Sequence, residues 1–591
     1  MNKLLNMKSL KTLSLILGTC VSFYACTDLD EELVGEFTES YSEANPAAAF
    51  INAGSGGGGA DALGAAFSKL RDGSAGHFGH FTAQTLPSDE AWIATKGGDW
   101  YDGGILIDLH KHNFLANNGI LGNTWNQLYG GINAVNDAMG DASADDAKQL
   151  RAVRAFHYYR LMDLYGSVKY VTEAGDEGQL SRAALFGKVE GELLDLVGLT
   201  RDQLTNGDAP TAFGSTNSAY RVNHFAVMGL LAKLYLNGEV YTRATPGGTG
   251  TAMWEQAYAA ANYVIENSPY RLATSPATQA AVGSAGAVMS NVNLGRLNSN
   301  QVNVGGNQQY PDGLSSADNI YAQDNMEGYT ALFAANNDQA NPEFIWSIEY
   351  DEVTAGGMNF AKMTLHYGSQ QTFNFEAQPW NGYATLADFY NDYDDANDVR
   401  KHTNHLSGVQ RTFNGGIVRD FAKEPNDASP DLEFTGDNAG GIFPNGLRQA
   451  GARLGKFSFK QFGRPDQDND YPIVRLGDLY LVRAEANARR GGSWNGAAAL
   501  ADVNIIRARS GAAAKSASDI TETFFLAERG REMFQESTRR QDQIRFGQYR
   551  AGADSGRRAD STPTDAHKIV MPIPLDAINA SNGSLSQNTG Y

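Results

Sequence analysis

Few residues in this chain are spaced for covalent chemistry. Residues 54–59 (GSGGGG) satisfy G-x-G-x-x-G ahead of the helix-like DALGAAFSKL. A dinucleotide site would also need a β-α-β alternation and an acidic residue ending a second strand. Neither is visible, so a Gly-rich loop is the reading. The motifs G-x-S-x-G, G-x-x-x-x-G-K-[ST] and H-E-x-x-H do not occur in the sequence. His77/His80 and His402/His405 are spaced i, i+3, and His110/His112 lie two apart. A metal site would need further ligands and the groups that orient them, so these histidines are expected to be structural. Acidic runs at 388–398 (DFYNDYDDAND) and 466–470 (DQDND) raise a structural calcium. Neither run carries the Gly and terminal Glu of an EF-hand loop. Glu528, Arg529, Arg531, Glu532, Arg539, Arg540, Asp542 and Arg545 are the densest charge group. On a helix they are spaced for i, i+3 and i, i+4 ion pairs, which makes them a structural network rather than a catalytic one. The remaining carboxylates include no pair that a motif marks as a general acid and base.

Aromatics in polar loops remain. Trp92, Trp100 and Tyr101 sit in DEAWIATKGGDWYDGG (89–104), and Trp380 and Tyr383 in QPWNGY (378–383). Sugar rings stack their C–H faces on such rings, while amides and charges take the hydroxyls. Two separate loops of this composition suggest a carbohydrate platform.

The elements that must position these loops are helical. Val227, Leu230, Leu231 and Leu234 repeat at i, i+3, i+4, i+7, as do Ala257, Ala260, Ala261 and Val264. A second helix pair is expected from 476–490 and 496–511, where Ala484, Ala486 and Ala488 permit close approach. A third is expected from 125–139 and 148–166. Hairpins of about 34 residues resemble tetratricopeptide units. The expected class is therefore mainly α, a tetratricopeptide-like helical-hairpin scaffold over about 60–270 and 471–550. Residues 271–470 are rich in Asn, Gly, Gln, Asp and aromatics, with short β-like runs such as EFIWSIEY. They read as a loop-rich ligand-binding insertion.

Bulk numbers narrow the partners. With 67 acidic and 47 basic residues among 591, the formal charge is −20, so nucleic acid is a poor partner. The same charge argues for neutral or basic ligands unless a local patch overrides it. Charged residues are only 19% and Gly numbers 65, which is not the composition of a disordered acidic tail.

Lys3, Lys8 and Lys11 precede the apolar run 13–25, which is too short to span a bilayer. Residues 1–25 read as a signal peptide. Ala25-Cys26, followed by Asp28, Asp30, Glu31 and Glu32, suggests that Cys26 is lipidated and becomes the N-terminus. Cys20 after Thr19 is a weaker rival, and plain secretion is the alternative. A mature chain beginning at Cys26 has no second cysteine for a disulfide.

Several segments together resemble the SusD/RagB family of Bacteroidetes outer-membrane lipoproteins. They are RAVRAFHYYRLMDLYGSV (151–168), GLLAKLYLNGEVY (229–241), YPIVRLGDLYLVRAEA (471–486), VNIIRARSG (503–511), GREMFQESTRRQDQIRFGQY (530–549) and the close MPIPLDAINASNGSLSQNTGY (571–591). The family pattern has Glu-Gly ahead of the Arg pair, where this chain has Glu536-Ser537-Thr538. The resemblance implies a non-enzymatic, surface-exposed, lipid-anchored protein that needs no cofactor. Such a protein captures glycan as a lid on a SusC-like TonB-dependent transporter. It also implies platform residues: Trp92 in LPSDEAW, Asn381 and Tyr383 in the Asn381-Gly382-Tyr383 loop, and more weakly Phe360 after Asn359. Trp100, with Tyr101 beside it, would replace the family's Trp-rich turn. A peptide-binding member of the same family is one alternative reading, and a secreted glycoside hydrolase is another.

Overall fold

Helical hairpins form the frame of the computed structural model, which describes residues 59–93, 100–273, 328–334, 337, 341–352, 356–373, 375–406, 408–411, 417–421, 451–458, 464–551 and 564–591. Cys26, and all of 54–59 except Gly59, lie outside these residues. The long helices are α1 (Gly119–Met139), α2 (Ala144–Tyr165), α3 (Arg182–Leu196), α4 (His224–Leu236), α5 (Trp254–Asn267), α6 (Leu476–Arg490), α7 (Ala497–Arg509), α8 (Glu522–Met533) and the shorter α9 (Arg539–Arg545). Local chemistry sets their starts. Asn118, Ser143, Ser181, Asn223 and Thr521 each accept backbone N–H bonds at an N-cap, satisfying donors that the first turn leaves free.

Packing follows chain order: α1 on α2, α2 on α3, α3 on α4, α4 on α5, and α6 on α7. The three expected hairpins are present. Helix α5 also packs directly on α6, although some 200 residues separate them in sequence. Small side chains permit this, since Ala257, Ala260, Ala261, Ala484 and Ala486 are all fully buried. Helix α2 departs from a simple amphipathic pattern, because nearly every residue from Gln149 to Tyr165 is buried. Its arginines are held inside by partners: Arg154 by Glu192 at 2.8 Å, and Arg160 by Ser74 at 2.8 Å.

The intervening region leaves and re-enters the frame through a strand pair. β4 (Phe344–Ile348) runs antiparallel to β6 (Tyr471–Arg475), with Tyr471 opposite Ile348 and Arg475 opposite Phe344. A second pair, β1 (Ala91–Ile93) with β5 (Tyr383–Thr385), joins the two aromatic segments of the sequence. β2 (Val168–Thr172) and β3 (Gly175–Leu180) form a hairpin after α2.

The charge group on α8 and α9 is buried, and most of its partners come from other elements. Glu532 receives Arg475 at 2.7 Å and also Arg509. Glu528 receives Arg400, Arg507 and Arg531 at 2.7–2.9 Å. Arg545 pairs with Glu485 at 2.6 Å, and Arg539 with Asp89 at 2.6 Å. Of the i, i+3 pairs expected on the helices, Arg531–Glu528 and Arg545–Asp542 form. Glu536 keeps its pairs with Arg475 and Lys456 even though Ser537 occupies the family's Gly position. The backbone there is left-handed at φ +58°, a conformation that Gly adopts most easily.

Burial alone would raise the Glu485 carboxyl, but Arg545 and Arg489 outweigh it and bring it down to about 2. Glu90, next to Asp89, behaves oppositely. Burial pushes it up to about 8, against the lowering effect of the Gln535 N–H that it accepts at 2.6 Å. Through Asp89 and Glu90 the network anchors the segment leading into β1, and hence β5 and the loop before it.

Candidate ligand-binding site

The loop before β5 is built on the turn at Phe360–Thr364. Trp380 N–H donates to the Lys362 carbonyl at 2.6 Å, Asn381 N–H to Leu365 at 2.8 Å and Gly382 N–H to Met363 at 2.9 Å. Asn381 takes a left-handed φ of +59°, a conformation that Asn tolerates better than most residues. The second loop, 100–104, turns through positive φ at Trp100, Asp102, Gly103 and Gly104. Its glycines make that path inexpensive.

These two loops meet. The Trp100 indole N–H donates to the Trp380 carbonyl at 2.7 Å. The Trp100 ring lies on Gly382, where a Cβ would come within 2.7 Å of the ring and also meet the Met363 carbonyl, so Gly382 seats the tryptophan on the turn at Phe360–Thr364. His77 stands edge-to-face against both indoles, with centroid distances of 5.7 Å to Trp100 and 5.1 Å to Trp380. Lys362 places its ammonium over the Trp380 ring at 4.8 Å. Both tryptophans are half-buried, and Tyr101 beside them is 41% exposed.

His77 also lines an open groove of about 550 Å³, together with Arg71, Phe78, Asn123, Gln127 and Asn359. Asn123 and Gln127 both donate to the Phe78 carbonyl, Gln127 at 3.2 Å. Partly buried aromatic faces, amide side chains, one guanidinium and the Asp72 carboxylate therefore share a concave surface. That set can stack a flat apolar face and hydrogen-bond a ring of hydroxyls.

Other expected platform residues belong to the core. Trp92 is 5% exposed, Phe360 1%, Asn381 0% and Tyr383 0%, so the expectation that these four present themselves to a ligand at the surface is corrected: all four are buried. Trp92 and Tyr383 lie in the paired strands β1 and β5, whose residues are all buried. The Tyr383 hydroxyl is held by Thr82 at 2.6 Å, and Phe360 packs on Phe81 at 4.6 Å. They form the floor beneath the tryptophan pair. Their polar sequence context misleads because Asp89 and Glu90 are themselves buried in the charge network.

Sequence reasoning places His77 among the structural histidines and does not single out Lys362, Arg71, Asn123 or Gln127. The available signal was the Gly- and aromatic-rich GSAGHFGHF (73–81). Other described histidines do serve the fold: His112 meets the Pro87 carbonyl at 2.6 Å, and His110 the Leu86 carbonyl at 3.1 Å. The acidic runs are likewise engaged internally. Asp398 holds Arg400 at 2.7 Å, and Asp470 accepts from the Tyr220 hydroxyl at 2.7 Å. Among the described residues, no three His, Cys, Asp or Glu side chains converge to hold a metal ion.

Residues 342–591, which contain β4, the Trp380 loop and the whole α6–α9 network, match the family model of the SusD family. A 128-residue stretch is 35% identical to the starch-binding protein SusD of Bacteroides thetaiotaomicron, covering 21% of this chain and 22% of that protein. From residue 342 onward, then, the chain is similar to the SusD family. That curated relative is matched over about a fifth of its own length.

Solved structures extend the likeness in fold to most of the chain. Surface glycan-binding protein A from Bacteroides thetaiotaomicron, in complex with laminarihexaose, superposes with a TM-score of 0.61 at 18% identity, over 89% of this chain and 98% of that one. A laminarin-binding SusD-like protein gives 0.57 at 18%, over 90% and 99%. Surface glycan-binding protein A from Bacteroides uniformis gives 0.59 at 16%, over 89% and 98%. At such identities the likeness concerns the SusD fold, mainly α and tetratricopeptide-like as expected.

Proposed function

We propose that this protein is a non-catalytic, surface-exposed glycan-binding lipoprotein of the SusD family, anchored through Cys26 in the outer membrane. In this reading it passes oligosaccharide to a SusC-like TonB-dependent transporter. The observation that carries it is the Trp100–Trp380 pair, two half-buried indoles braced by His77 at the edge of a groove lined with amides. The match of residues 342–591 to the SusD family supports it, as do the glycan-binding names of the proteins whose fold the chain shares. The bound sugar would stack on the exposed parts of Trp100 and Trp380, with Tyr101 at the rim. Asn123, Gln127 and Asn359 would take its hydroxyls.

A capture protein must release its ligand to the transporter. The expected affinity is therefore modest, on the order of micromolar to millimolar, or roughly −8 to −4 kcal/mol. Calorimetry against an oligosaccharide panel, with the same mixtures followed by chromatography, tests both halves of the proposal. Heat of binding without shorter products over days is the expected result. Steady cleavage that stops when one Asp or Glu is replaced would place the protein among the hydrolases. Binding of peptides and not of sugars would favour the peptide-binding branch of the family. Intact-mass analysis of membrane-extracted protein should show a lipid-modified chain starting at Cys26, and an unmodified chain would remove the anchor.

A further inference from the structure

Two cations at the proposed sugar site have no carboxylate partner among the described residues. Arg71 lines the groove, and its guanidinium donates to a backbone carbonyl, that of Glu349, at 3.3 Å. The adjacent carboxylate, Asp72, is already 3.2 Å from Lys69. Lys362 sits over Trp380 and forms no ion pair with a described residue. His77 lies between these features, touching both indoles and lining the groove with Arg71. Burial holds its imidazole below the ordinary value; Asp102 acts in the opposite sense, and Lys362 reinforces the lowering. At neutral pH His77 is therefore uncharged. The charges that act on His77 are Asp102 and Lys362, with Arg71 and Asp72 lining the groove beyond.

We infer that the glycan this site takes is anionic, a saccharide bearing a carboxylate or a sulfate ester. In that arrangement the sugar face lies against the tryptophan pair, and its anion is met by Arg71 or Lys362. This rests on the glycan-binding reading above.

Each cation suits the task. A guanidinium offers a planar fork that matches carboxylate and sulfate oxygens, and hydrogen bonds between charged partners are about twice as strong as neutral ones. An ammonium already seated on an indole face stands beside whatever stacks on that ring. The net charge of −20 opposes anions at long range, but the Debye length is about 8 Å at physiological salt. Charges at the far side of the molecule are screened, and those lining the groove decide.

The test is calorimetry on the full chain with four probes: an oligogalacturonate, its fully methyl-esterified neutral counterpart, a sulfated galactan oligosaccharide and laminarihexaose. The expected result is that at least one anionic probe binds about tenfold or more tightly than the neutral probes. Added salt should narrow that gap. Which anionic probe responds distinguishes a carboxylate from a sulfate ligand. Arg71→Gln and Lys362→Gln, each checked by thermal melting for an intact fold, should reduce the anionic-to-neutral affinity ratio. Neutral probes binding as well as the anionic ones would overturn the inference and leave the glycan reading standing. A ratio unchanged in both variants would also overturn it. Failure of all four probes to bind would count against the glycan reading itself.

Discussion

Trp100 and Trp380 differ from Trp92 and Tyr383 in what removing each would cost. Truncating a half-exposed ring at a binding hot spot loses about 2 kcal/mol of affinity, so Trp100→Ala and Trp380→Ala should weaken oligosaccharide binding by roughly thirtyfold with a small change in melting temperature. Trp92→Ala and Tyr383→Ala empty fully packed positions and should cost about 3–5 kcal/mol of stability. Thermal melts and calorimetry on the four variants separate the two classes. If Trp380→Ala melts early and still binds, the platform is wrongly placed.

Glu90 gives a second contrast at this scale. Its carboxyl holds a proton up to about pH 8 in the folded chain, against an ordinary 4.5. A raised value contributes stability that is fully present below pH 4.5 and is lost as pH rises through about 8. Glu90→Gln keeps the acceptor for the Gln535 N–H and has no proton to lose. It should therefore be more stable than the native chain at pH 8 by about 1 kcal/mol or more. Its melting temperature should also fall less between pH 5 and 8.

At the level of elements, the two aromatic loops depend on one another. Gly382 seats the Trp100 ring, and Trp100 closes on the Trp380 carbonyl. Gly382→Ala should push on both the Met363 carbonyl and the indole, breaking a site whose two tryptophans are themselves intact. Sugar binding should fall at least as far as in Trp100→Ala, with an accompanying change in tryptophan fluorescence; unchanged emission and affinity would show that the two loops act separately. The strand pair β4–β6 depends similarly on α8, because Arg475 bonds both Glu532 and Glu536. Removing one member of a buried ion network leaves charges uncompensated. Arg475→Ala should thus cost about 3–5 kcal/mol, measured by denaturant unfolding. That loss would loosen the region between α5 and α6 from the frame.

Across the whole molecule, the buried network predicts acid sensitivity. Burial works against the ionised forms of Glu485, Glu528 and Glu532, yet the surrounding arginines hold all three below the ordinary carboxylate range. A depressed value contributes stability that is present above about pH 4.5 and lost as pH falls through the folded value, about 2 for Glu485. Melting temperature should therefore drop steeply below pH 4.5. The β1–β5 floor should open with α8 and α9, since Asp89 joins them through Arg539. An acid transition in which tryptophan fluorescence and helical circular dichroism part company would show that the loops are not braced by this network.

The sequence by itself determined the helical frame. Apolar spacing at 227–234 and 257–264 and alanines at 484, 486 and 488 are local signals, and the helices that carry them appear where they were expected. It also marked the charge group of 528–545 as structural, although not that its partners would come from Asp89, Glu485, Arg400 and Arg475. The site was legible only in part. Trp100 and Trp380 could be picked out as aromatics in polar loops, but so could Trp92 and Tyr383, and composition does not distinguish a ring at a rim from one in a floor. Tertiary structure decided that, because pairing of β1 with β5 buries one pair of rings and the turn at Gly382 leaves the other at the surface. It also brought His77 to Trp380 across hundreds of residues and folded Lys362 back over the same ring. Helices announce themselves through short-range periodicity, whereas a binding surface is made by long-range contacts that leave no period in the chain.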